Sequence, residues 1–125
     1  MARYEFLNIN PLGNIEEDCV CRAISLALQE DYYKVERKLN LVGELFECPK
    51  LCECCYRFLL DYVYDLKRLE EFKGMTIEEF ANTFPKGTYI IRVEGHLTTI
   101  IDQVCYDLWD CRKEIVDVAW CINSF

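Results

Sequence analysis

Hydrophobic positions recur at helical spacing through the first two thirds of the chain. Through the last third they crowd into short runs that alternate. Val20, Ala23, Ile24, Ala27 and Leu28 fall on one face of a helix beginning at Cys19. Asp18 stands directly before it, where an N-cap belongs. Glu30 and Asp31 interrupt the stripe, and Val35, Leu39, Val42 and Phe46 resume it as a second helix over 32–46, which Pro49 ends. A third helix is expected over 51–66, with Tyr56, Leu59, Leu60 and Val63 inward. Thr76 and Glu79 have the spacing of a capping box, and Met75 and Phe80 that of a hydrophobic staple. Both predict a short helix over 75–83, stopped by Pro85-Lys86-Gly87.

Beyond Gly87 the period changes. Thr88–Val93 alternates and is rich in β-branched residues, and His96–Ile101, Val104–Trp109 and Glu114–Cys121 read as further strands. Residues 6–14 read as a short extended piece followed by a loop. Helices first and strands second define an α+β layout, with N-terminal helices packed on a C-terminal antiparallel sheet. The sheet is expected to be a meander, because the connections are too short for parallel crossovers. No repeat or low-complexity linker divides residues 1–125, so one domain is expected.

Composition narrows the function classes. Hydrophobic residues make up 52% and charged residues 29%, a globular balance. The 22 acidic residues outnumber the 14 basic ones, for a net charge of −8. That disfavours a sequence-independent grip on nucleic acid, and attachment to anionic membranes for the same reason. No apolar run approaches the ~18 residues of a membrane span. The opening Met1–Phe6 lacks the apolar stretch of a secretory signal. The nine cysteines are an odd number, which together with that opening reads as reduced thiols in a cytoplasm.

Nucleophilic cysteine chemistry needs a thiolate, a base within reach and a group that orients the base. The chain has one histidine, His96. Cys19 would occupy the first position of a helix, where free N–H groups and partial positive charge favour a thiolate. If Asp102-Gln103 is a two-residue hairpin loop, Ile101 faces Val104 and Thr98 faces Asp107. His96 and Asp107 then share a sheet face as diagonal neighbours. Asp110 would fall on the opposite face, and Asp102 too far along the strand, so Asp107 is the expected orienting acid. Cys48, Cys52, Cys54 and Cys55 have the spacing C-x3-C-x-C-C, which differs from paired C-x2-C zinc knuckles. On a helix, 48, 52 and 55 would share a face and 54 would point away, so buried thiols in a helix–helix seam are the expected reading and no metal is assigned.

Three blocks carry a family resemblance. Asp18-Cys19-Val20-Cys21-Arg22-Ala23-Ile24 resembles the "DCVxRA" opening of small papain-like proteins encoded by phages and related mobile elements. Pro85-Lys86-Gly87-Thr88-Tyr89-Ile90-Ile91 with Gly95-His96-Leu97 is similar to that family's "P-x-G-T-Y…GH" segment, and Tyr106-Asp107-Leu108-Trp109-Asp110 to its "YDxWD" ending. The resemblance implies a papain-like fold akin to bacteriocin-processing and cell-wall-peptide cysteine peptidases. It implies Cys19 as nucleophile, His96 as base, Asp107 as orienting acid and no cofactor. The reaction would be amide, isopeptide or thioester cleavage, on a peptide or protein, in the host bacterial cytoplasm. The chain departs from the pattern in lacking a Gln shortly before the cysteine. Asn14 is the nearest amide that could serve as an oxyanion-hole donor, and Asn10 the next. The alternative is a papain-like module without activity that docks on or sequesters a host protein.

Overall fold

The computed structural model describes residues 1–49 and 52–122. Among them the order is β1 (Arg3–Phe6), α1 (Cys19–Leu28), α2 (Tyr32–Phe46), α3 (Glu53–Phe58) running into a π-helical turn (Leu59–Val63), β2 (Lys67–Leu69), α4 (Ile77–Thr83), β3 (Thr88–Val93), β4 (His96–Ile101), β5 (Val104–Asp107) and β6 (Val118–Cys121). Four α-helices and six strands of one mixed sheet make an α+β fold. No described helix is long and apolar enough to cross a membrane.

The sheet order is β1-β5-β4-β3-β6-β2. Its centre is the expected antiparallel meander, β3 to β4 to β5, and β6 returns antiparallel beside β3. The purely antiparallel sheet is corrected at one edge. β1 pairs parallel with β5, Arg3 opposite Val104 and Phe6 opposite Asp107. The short connections of the C-terminal region could not reveal this, because the parallel partner arrives from the N-terminus. β2 closes the other edge against β6. Both edge strands are short and mostly exposed, so neither needs an apolar alternation.

Alternation along the central strands sends side chains to two covered faces. Ile90, Leu97 and Trp120 pack with Ile24 of α1, Leu39 of α2 and Leu59. Ile91, Ile100 and Ala119 pack on the other side with Ile77 and Phe80 of α4. Burial on both faces explains the consecutive apolar residues Ile90-Ile91 and Val118-Ala119-Trp120. The α4 capping box forms as its spacing predicts: Glu79 N–H donates to Thr76 Oγ1 at 3.0 Å, and Thr76 N–H to Glu79 Oε1 at 2.8 Å. Phe80 is fully buried, and Met75 packs at the edge of the same cluster.

Several expected elements are shorter. The helix expected over 51–66 is α3 plus the π turn, and its expected start at Leu51 lies outside the described residues. The strand expected over 114–121 begins at Val118; ahead of it, Ile115 makes one isolated bridge with Thr76. The strand expected to reach Trp109 ends at Asp107. The hairpin register is the expected one: Ile101 faces Val104, with Asp102 (φ 45°) and Gln103 (φ 72°) both left-handed. That is the backbone of a type I′ turn, which suits the sheet twist although neither residue is glycine.

Candidate active site

Asp18 occupies the N-cap position of α1, yet its carboxylate makes no capping bond. It is buried and turned inward. Oδ1 accepts from Arg22 Nε at 2.7 Å, and Oδ2 accepts from Asn10 Nδ2 at 2.9 Å and the Tyr32 hydroxyl at 2.7 Å. The expected cap is therefore corrected to a buried ionic anchor. The N–H groups of Cys19 and Val20 are left without a side-chain cap at the end of the helix where partial positive charge collects.

His96 begins β4, delivered by a tight turn in which Gly95 takes φ 72°. Its Nε2 lies 2.7 Å from Asp107 Oδ2, which leaves Nδ1 to meet the Cys19 thiol in the shared cleft lining. Asp107 is 2% exposed, and both its oxygens are engaged. Oδ2 also accepts from Thr98 Oγ1 at 2.6 Å; Oδ1 accepts from Leu108 N–H at 2.7 Å and Arg22 Nη1 at 3.2 Å. Arg22 thus ties the helix that carries the thiol to the strand that carries the acid. The Trp109 ring stacks obliquely on the imidazole, with centroids 4.9 Å apart.

The charges follow from these contacts. Burial opposes ionisation of Asp107, but the bonds from His96 and Thr98 outweigh it and hold the carboxyl at about 2. Burial also opposes charge on His96, and the bonds to Asp107 and Cys19 override it and raise the imidazole to about 9. For Cys19, burial works against the thiolate. The hydrogen bonds from His96 and from Leu97 N–H, with the positive charge of His96 and Arg22, win and lower the thiol below its ordinary value. A thiolate beside an imidazolium is the state these contacts favour.

Cys19, His96, Trp109 and Arg22 open onto a cleft of about 460 Å³, bordered by Glu16, Glu17, Glu53, Tyr56 and Arg92. Its far wall is braced by Arg92, which donates to Tyr56 Oη at 2.8 Å, Asp117 at 2.5 Å and Glu53 at 3.1 Å. The three residues singled out from sequence for catalysis are brought together. Asn14 is not among them: it is exposed and outside the cleft lining, with its carbonyl held by Asn8 Nδ2. Asn10 is equally removed, because its amide donates to Asp18 and Glu16.

Sequence reasoning missed Arg22 and Thr98 as members of this network. A charged residue inside an apolar helical stripe, four positions after an Asp, was the available signal for Arg22. The sulfur of Cys111 and the Asp107 and His96 atoms also lie within 4.8 Å of one another. A metal there would displace bonds that Asp107 already makes and would face the Arg22 guanidinium, so the group reads as a proton-handling pair. No known protein family, curated protein or solved structure matches this chain in comparisons of sequence and fold.

Proposed function

We propose that the chain is a thiol hydrolase of papain-like architecture, acting on an amide, isopeptide or thioester bond. The observation that carries this reading is the relay Cys19–His96–Asp107 at the uncapped start of α1. The order of parts supports it: nucleophile on a helix N-terminus, base on a strand packed against that helix, acid on the next strand. Together with the three sequence blocks, that order supports a phage-encoded member of the papain-like group with a peptide or protein substrate in the host cytoplasm.

The chemistry follows from the geometry. The Cys19 thiolate adds to the carbonyl carbon, and the developing oxyanion lies beside the Cys19 N–H. His96 gives its Nδ1 proton to the leaving nitrogen or sulfur as that bond breaks, leaving an acyl group on Cys19. Water then attacks the acyl carbon while His96 takes its proton, and the carboxylic acid leaves as the thiolate reforms. Asp107 fixes the ring by holding Nε2–H and stays ionised throughout.

The test is acid-quenched mass spectrometry after exposure to a panel of peptide thioesters, esters and amides. The expected result is an acyl adduct on Cys19 in the parent, none in Cys19→Ser, and slowed turnover in His96→Ala. Absence of an adduct with every acyl donor would return the chain to the binding-module alternative.

A further inference from the structure

A second group of cysteines lies where α2 gives way to α3, away from the relay. α2 closes on Glu47, in the left-handed conformation at φ 53°, and Cys48 N–H turns back to Gly43 O at 2.9 Å. Cys52 caps α3, and Cys54 and Cys55 fall in its first turn. The expected helix–helix seam is corrected here, because Cys48 and Cys52 are outside helices and Cys54 is exposed. The sulfurs of Cys48, Cys54 and Cys55 lie within 4.8 Å of one another, and that of Cys52 stands beside Cys54. Cys48 Sγ lies 2.8 Å from Cys54 Sγ and 3.1 Å from Cys55 Sγ, and Cys54 Sγ lies 3.3 Å from Cys52 Sγ.

We propose that Cys48, Cys52, Cys54 and Cys55 bind one zinc ion as a closed structural site. Four thiolates and no oxygen donor in the group suit a soft cation with tetrahedral geometry, and disfavour magnesium or calcium. With zinc–sulfur bonds of about 2.3 Å, the edges of a sulfur tetrahedron are about 3.8 Å. The close pairs therefore need to spread by about 0.5–1 Å around the ion, while Cys52, which stands outside the close group of three, must turn inward to complete the tetrahedron. The buried pair Cys105 and Cys111, 3.3 Å apart, offers only two sulfurs and makes no comparable site.

The ion would do structural work. It would tie the end of α2 to α3, whose Glu53 and Tyr56 brace Arg92 on the cleft wall. The site stands independently of the hydrolase reading.

The test is metal analysis of the full chain, purified from a reducing cytoplasm, then stripped, reduced and refilled anaerobically with zinc or cobalt(II). Cys19→Ser serves as background, so that the Cys–His pair contributes nothing. One zinc per chain is expected, with the charge-transfer and visible bands of tetrahedral cobalt–thiolate after exchange. Because Cys54 is exposed, Cys54→Ser should stay folded while zinc affinity falls by more than about tenfold. Cys48→Ser should do the same, and Cys121→Ser should leave affinity unchanged. Chelation should lower the melting temperature of the parent and not of Cys54→Ser. The proposal is overturned if zinc stays substoichiometric after refilling, or if affinity survives in a Cys48→Ser/Cys54→Ser double variant. It is equally overturned if copper or an iron–sulfur cluster is found instead, or if the mass shows a disulfide among these thiols.

Discussion

Replacing Asp107 by Asn keeps the shape of the side chain and removes its charge. Asp107 is the first support of the His96 imidazolium, and the Cys19 sulfur is the second. Raising His96 from 6.5 to about 9 corresponds to about 3 kcal/mol in favour of its charged form. If the two partners share that evenly, Asp107→Asn removes about 1.5 kcal/mol, which is about tenfold in the thiolate–imidazolium population. Arg22 keeps Asp18 but loses its second carboxylate, so stability should also fall by about 3 kcal/mol. The assay is the rate of iodoacetamide alkylation at Cys19, followed by peptide mass spectrometry between about pH 5 and pH 9. Circular dichroism on the same samples checks the fold. The alkylation rate near neutral pH should fall by up to about tenfold. Thr98→Val, which removes one bond to Asp107, should give a smaller change in the same direction. If the Asp107→Asn profile superimposes on that of the parent while the fold is intact, the carboxylate does not set the charge state of the pair.

Three further outcomes follow from the same contacts. His96, raised to about 9, contributes stability that is complete below pH 6.5 and lost as the pH climbs through 9, whereas the lowered Cys19 contributes in the opposite sense. Urea midpoints of Cys19→Ser should therefore decline with pH over this range more steeply than those of the parent. At the acid end, Asp107 at about 2 should give a loss of stability as the pH falls from 3.8 through 2, and that loss should be smaller in Asp107→Asn. Thr76→Ala breaks the capping box and should cost about 1 kcal/mol, read as a lower denaturant midpoint with an unchanged slope. Gln103→Gly removes a left-handed non-glycine residue from the hairpin but also its 2.9 Å bond to Asn82. The net gain should be roughly 0.5–1 kcal/mol, read by thermal melting.

The parts legible in the sequence are those whose signal is local and strong. α2 is found at its expected bounds because its apolar stripe is regular and its ends are punctuated. The β4–β5 register is legible because a two-residue loop fixes which residues face each other, which is how Asp107 could be placed beside His96. The two edge strands were not legible, since exposed pairing leaves no hydrophobic pattern. Asp18 has the residue type of a cap, but a buried Arg22 one turn away competes for the same carboxylate and wins. The grouping of Cys48 with Cys54 depends on a turn between two helices, whereas helical periodicity assigned them opposite faces.

The most direct test of the account is a competition among all nine cysteines for a limiting alkylating agent below pH 7, in the folded parent and in His96→Ala. Cys19 should be labelled ahead of the other eight in the parent and should lose that lead in the variant. If Cys19 labels no faster than its neighbours, or keeps its lead without His96, the thiolate–imidazolium pair at the start of α1 does not exist.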